Sequence, residues 1–296
     1  MILRMTKMNL SHMDKEQMNK GHVHTEPING ESIDVGQIFD YINEIAPWSY
    51  AEDWDNVGLM LGSREIKVQR VLLCMDVTSD VISEAVSIGA NVILSHHPFI
   101  FSKLKTINMD TFKGRQIAGL IKNNISIISA HTNLDAAIGG VNDTLAEAVG
   151  LKNYRNLKSY IPQGFSIDLG MGKVGELADE IDFDVFVDNV IKKLEIKHFR
   201  TIGKRPSIIK KVAVFCGSFD DDLESVKRQA ADVLITGDIK YHTALDAVQM
   251  GLCILDVGHF ASEHLILDKL RDILNTRFKN LQSVCSNVEK DPFIFA

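Results

Sequence analysis

The chain lacks most features that would set it outside the ordinary globular class. It has four cysteines in 296 residues, Cys74, Cys216, Cys253 and Cys285, and no two share the C-x-x-C spacing of a structural zinc site or redox pair. With no secretory signal ahead of them, they are expected to be buried, reduced thiols of a cytoplasmic protein. No apolar run approaches the roughly 20 residues that span a bilayer, so no membrane helix is expected. A surplus of positive charge is also missing. The formal net charge is −7, which argues against a surface that coats nucleic acid. Hydrophobic residues make up 45% of the chain, too many for bulk disorder.

What is present is an alternation of helical and strand-like patterns. Residues 1–31 are polar, rich in methionine and without periodicity; they read as a flexible extension holding His12, His22 and His24. From Ile33 apolar residues recur at three- and four-residue steps until Pro47, a helix. Apolar runs at 71–75, 91–95 and 125–130, separated by helical stretches near 79–88 and 111–122, describe β-α-β units with parallel strands buried on both faces. The second half repeats this. Val212-Ala213-Val214-Phe215-Cys216 mirrors Val71-Leu72-Leu73-Cys74-Met75, and 232–236 mirrors 91–95, as in an internal duplication. The expected fold is α/β with two pseudo-repeated lobes, 32–152 and 176–296. Residues 153–175, glycine-rich and irregular, read as their connection.

The run at 91–95 stops at His96-His97, and Pro98 ends any further ladder. Ligands usually bind beyond the carboxyl ends of such strands, and imidazoles both titrate and coordinate metals near neutral pH. The run at 125–130 likewise stops at His131, with Asp135 four residues on; the second half matches it with His259 and Glu263. If the halves face one another, His96, His97 and His259 offer nitrogen while Asp135 and Glu263 offer oxygen. Two close divalent ions need such carboxylates, because imidazoles alone leave too much positive charge. Each motif is weak singly; the combination points to a metal cleft. If Glu263 opens the helix that follows, His259 lies ahead of it and the spacing is not that of a helical i, i+4 zinc motif.

Two stretches leave alternatives open. Residues 51–62, acidic and aromatic around Trp54 and Asp55, read equally as a turn before a strand or as a pocket wall. In Thr236-Gly237-Asp238-Ile239-Lys240-Tyr241-His242, Asp238 reads as a ligand, a support for a histidine or a helix cap, with the latter two favoured. Lys240, Tyr241 and His242 suit an anionic substrate and a solvated helix equally.

The blocks Trp54-Asp55-Asn56-Val57-Gly58, Ser95-His96-His97-Pro98, His131-Thr132-Asn133-Leu134-Asp135, Thr236 to His242 and Gly258-His259-Phe260-Ala261-Ser262-Glu263 resemble the Nif-three-like family. That family is described as dinuclear-metal-centre hexameric proteins and, in bacteria, as type-two GTP cyclohydrolase I. The resemblance implies interlinked lobes around a cleft with two divalent ions (zinc, iron, manganese or nickel), a homo-hexamer, and His96, His97, Asp135, His259 and Glu263 as ligands. It also implies hydrolysis of a nucleotide, a metal-activated hydroxide opening the purine imidazole ring, with His131 relaying protons and Lys240 and His242 contacting phosphates. A metal-holding scaffold for transcription-related protein partners, or a metal-dependent phosphoesterase, are the alternatives. Two departures stand out. There is no room between the halves for the extra domain of some relatives, and Phe219 followed by three aspartates replaces a glycine turn, which would repel a phosphate.

Overall fold

Eleven strands were assigned among the described residues, 32–160, 168–220 and 222–295 of a computed structural model. The expected extension at 1–31 lies outside them. The strands are β1 Gly58–Leu61, β2 Arg70–Cys74, β3 Val92–Ser95, β4 Ser126–Ser129, β5 Lys152–Tyr160, β6 Leu169–Asp182, β7 Arg200–Ile202, β8 Ile208–Ser218, β9 Val233–Gly237, β10 Ile254–Asp256 and β11 Gln282–Cys285. They form two sheets, ordered β1-β4-β3-β2-β11 and β5-β6-β8-β9-β10-β7.

Each sheet has a parallel core, β4-β3-β2-β11 in the first and β8-β9-β10 in the second; antiparallel strands flank the first at one edge, by β1, and the second at both, by β6 with β5 and by β7. The duplication is plain. β2, Ser79–Ile88, β3, Phe112–Lys122, β4 and Thr132–Ala136 recur in order as β8, Leu223–Arg228, β9, Tyr241–Met250, β10 and His259–Glu263. Helix starts follow local chemistry: Thr78 and Thr111 accept from the amides of Val81 and Gly114, and Asp34 and Gln37 form a reciprocal capping box.

Alternation along the strands divides the core. Leu72, Ile93 and Ile127 face outward under helices Ser79–Ile88 and Phe112–Lys122. Val71, Leu73, Leu94 and Ile128 face inward and share one core with Val212, Val214, Ile235 and Leu255 of the second sheet, through helices Val141–Ala148 and Leu265–Arg277. Covering both faces requires the near-continuous apolar runs seen in the sequence. The lobes therefore meet with the carboxyl ends of both parallel cores beside one cleft. No described helix is long and apolar enough to cross a membrane.

Two expectations about organisation need correction. The described residues of the stretch 153–175 are not an irregular connection: 153–160 lie in β5 and 169–175 in β6, the two strands pair antiparallel, and β6 runs through the expected boundary at 176. Gly170 and Gly175 serve close strand approach. A Cβ on Gly170 would sit 2.0 Å from the Lys158 carbonyl oxygen, and one on Gly175 2.8 Å from Tyr154 Cβ. The last strand also leaves the second lobe, since β11 pairs in parallel with β2 (Val284 opposite Leu72) and interlinks the halves. All four cysteines are free; Cys285 is only half-buried, unlike the other three.

Candidate metal centre

The turn after β3 is built by two hydroxyls. Ser95 Oγ donates to the His97 carbonyl at 2.8 Å, so Ser129 Oγ must supply the proton in its own 2.8 Å contact with Ser95. The amides of His96 and His97 continue the ladder onto the carbonyls of Cys74 and Met75. Both imidazoles are thus delivered by the sheet itself.

Each of four histidines is held through Nδ1 by an acceptor on the outer side. His96 donates to the Ala130 carbonyl at 2.9 Å, His97 faces Asp76 at 3.0 Å, His131 faces Asp55 at 2.9 Å and His259 faces Asp238 at 2.8 Å. Such partners fix the tautomer and leave Nε2 as the lone-pair end. Glu263 Oε2 lies 3.0 Å from Nε2 of both His97 and His259, which are 3.2 Å apart.

His96 provides the fit test. Its side chain is fully buried, its proton is committed to Ala130, and its Nε2 has no hydrogen-bond partner among the described residues. That nitrogen stands 3.6 Å from Asp135 Oδ1 and 3.7 Å from Glu263 Oε2, too far for hydrogen bonds. A buried lone pair facing two buried carboxylates is unfavourable unless a cation lies among them. Two donors about 2.1 Å from one ion at a tetrahedral angle stand about 3.4 Å apart, so the spacing suits a metal. Three donor groups each lie within 4.8 Å: His96, Asp135 and Glu263; His97, His259 and Glu263; and His96, His97 and His131. These residues could hold a metal ion through mixed nitrogen and oxygen ligands.

Electrostatics agree. Burial pushes Glu263 up, but His96, His259 and His97 together override it and hold the carboxyl well below its usual range. Burial lowers His97 and His259, yet Asp76 and Glu263 bring His97 to about 10, and Glu263 and Asp238 bring His259 to about 9. Burial, reinforced by Glu263, raises Asp135.

Supporting contacts come from far along the chain. Cys216 Sγ donates to Asp135 Oδ1 at 3.3 Å, and Asn142 links the Asp135 carbonyl to the Cys216 amide. Gly217, at φ +61°, lets Glu263 in: a Cβ there would be 2.1 Å from Glu263 Oε1. Asp238 sits in the left-handed region, φ +49°, a conformation that Asp tolerates better than most residues and that aims it at His259. It does not cap the next helix, whose N-cap is Lys240. Glu263 does not open the helix that follows. His259–Glu263 is itself a short helix, which brings the two side chains together as i, i+4 neighbours.

A cavity of about 680 Å³ opens over these donors, lined also by Trp54, Phe101, Lys158, Phe215 and Asp220. Trp54 is thus a wall residue, while Asp55 bonds both His131 and Thr132. Lys240 and His242 are exposed and are not among the described residues lining the cavity. The cation that does line it, Lys158, lies on β5 in the stretch read as irregular, so no signal pointed to it. Lys158 pairs with Asp220 and, at 3.5 Å, with Asp222, which tempers the repulsion expected from that aspartate run. Phe219 is explained by packing: it is buried 5.4 Å from Phe215 in the outer core of the second lobe.

The chain is similar to known proteins. A protein of Clostridium perfringens named GTP cyclohydrolase 1 type 2 homolog is 41% identical over 264 residues, covering 88% of this chain and 99% of that protein. The crystal structure of a Staphylococcus aureus hypothetical protein superposes with a TM-score of 0.82 at 30% identity, over 90% of this chain and 100% of the other. A Bacillus cereus protein related to NIF3 gives 0.80 at 28% identity over the same shares. A Bacillus subtilis relative, also named GTP cyclohydrolase 1 type 2 homolog, aligns over 370 positions against a chain of 296, so it carries insertions absent here. The family model described as Duf34/NIF3 (NGG1p interacting factor 3) matches residues 33–292, and the chain belongs to that family.

Proposed function

We propose that the protein is a dinuclear metal-dependent hydrolase of the GTP cyclohydrolase 1 type 2 kind, opening the purine imidazole ring of a nucleotide. The observation that carries this reading is Glu263, whose carboxylate belongs to two donor groups at once, one with His96 and Asp135, the other with His97 and His259. A shared carboxylate is what two neighbouring divalent cations require. Those groups would hold one ion each; when bound, such ions supply Lewis-acid polarisation and lower the pKa of water. Zinc, iron, manganese and nickel all suit the donor set.

The rest is done by the chain. His131 completes only an all-imidazole group, which brings no charge neutralisation, and is left for proton transfer. Asp55 holds its Nδ1 proton, so Nε2 takes and returns the proton in the cleft. Lys158 offers a cation to the nucleotide's phosphates from the cavity wall. Addition of one water at C8 opens the ring to a formamide as the first carbon–nitrogen bond breaks, and a second water hydrolyses that formamide, leaving an amine and releasing the carbon as formate. Metal-loaded protein should therefore release formate from GTP, and His97→Ala should reduce release to background with the circular dichroism spectrum and melting profile retained. Elemental analysis of protein purified without added metal identifies the ions.

A second reading, a metal-holding ring serving protein partners, is favoured by one observation. Ile107, Met109, Phe112 and Ile121 are 57–65% exposed in the single chain, an apolar surface suited to contact with further copies. Sedimentation at a hexamer's mass, with no turnover of nucleotides, phosphoesters or amides by metal-loaded protein, would favour this reading over hydrolysis.

A further inference from the structure

Two large rings stand at the mouth of the metal cavity with much of their surface bare. Trp54 is 60% exposed and Phe101 57%, yet both line the cavity that contains the donors. They are not loose. Asn56 Nδ2 donates to the Ile100 carbonyl at 2.5 Å, tying the Trp54 loop to the Phe101 loop, and Asp55 anchors the same loop through His131 and Thr132. A loop anchored through the two residues that follow Trp54 presents its exposed indole ready for a further contact. The rings lie 5.9 Å apart, tilted by 48°, so no planar ligand enters between them and a free face remains toward the cavity. His131 stands at 76° to Trp54 and 69° to Phe101, bordering that wall rather than covering it.

We infer that Trp54, supported by Phe101, is the stacking wall for the planar heteroaromatic base of the ligand, and that it makes the site select a nucleobase over a bare polyphosphate. The inference rests on the nucleotide reading above and names its specificity residue. An aromatic face binds a base by dispersion and by removal of apolar surface from water, neither of which a phosphate offers. Lys158, on the wall of the same cavity, gives the phosphates a separate contact. A base stacked on Trp54 lies beside His131 and within one cavity of the candidate ligands.

The chain has two tryptophans, and Trp48 packs on Phe39 at 4.8 Å away from the cavity, so Trp48→Phe leaves Trp54 as the only indole. In that full-length protein, excited at 295 nm, GTP and guanosine should quench emission saturably while tripolyphosphate does not. Trp54→Leu should weaken GTP binding about tenfold and tripolyphosphate binding not at all, with Trp54→Phe restoring most of the loss. Equal quenching by tripolyphosphate, no quenching by either purine, or unchanged GTP affinity in Trp54→Leu overturns the inference. So does a Trp54→Leu protein altered in sedimentation but not in GTP affinity, which makes the wall an assembly contact. Should the leucine variant not fold, the Trp48→Phe titration and Trp54→Phe decide. Quenching by GTP without formate release leaves the wall standing and removes the hydrolase reading. Formate release with the same KM in Trp54→Leu does the reverse.

Discussion

After β3 the chain delivers His96 and His97 to the cleft, whereas the matching turn after β9 delivers Gly237 and Asp238. One copy of the repeat supplies imidazoles, and the other supplies a carboxylate that orients an imidazole, His259, from its own lobe. The carboxyl ends of β2 and β8 diverge in the same manner. Asp76 reaches His97 Nδ1, while its counterpart Gly217 has no side chain because Glu263 occupies that space. After β4 and β10 the copies remain alike, each placing a histidine and, four residues on, an acid in the cleft. The two copies thus share a scaffold and differ at their strand ends, and the donors of both meet in one asymmetric cleft.

The sharpest break in that comparison sets Glu263 against Asp135. Glu263→Gln should remove both equivalents of bound metal, while Asp135→Asn should remove one, as counted by elemental analysis after gel filtration; equal losses would show that Glu263 is not shared. A smaller effect separates the supporting acids. Asp76→Ala and Asp238→Ala should each weaken metal binding about 10–100-fold, measured by competition with a chelator. Smaller again is the contrast between cations. Lys158→Ala should raise KM for a nucleotide about fivefold, as loss of one partly exposed ion contact does, and Lys240→Ala should raise it less. The smallest effect is at Asp55. Burial raises its pKa, but His131 and Thr132 override this and hold it near 2. A depressed carboxyl stabilises the fold above its unfolded pKa, about 3.9, and loses that contribution as pH falls toward 2. The stability deficit of Asp55→Asn should therefore shrink between about pH 4 and pH 2 in denaturant titrations.

Much of this was legible along the chain. Strands buried on both faces must be apolar throughout, so β2, β3, β4, β8 and β9 showed as runs, and the histidines at their ends marked the cleft. β5 and β6 did not show, because an edge strand with mostly solvated residues, β5, and glycines at close crossings, in β6, imitate a loop. The donors were readable as residue types at strand ends, but their holders were not. Asp55 meets His131 across 76 residues, and Cys216 meets Asp135 across 81; no local pattern records such pairs.

The order of residues by itself determined the repeated β-α-β units, their buried faces and the positions where imidazole and carboxylate follow a strand, because periodicity and strand termination are local properties of a polypeptide. Only the tertiary structure decided which lone pairs point inward, that Glu263 serves two groups, and that Lys158 rather than Lys240 lines the cavity. Those outcomes depend on how two lobes close on each other through a shared core and a returning last strand, and on distances of a few ångströms between side chains far apart along the chain.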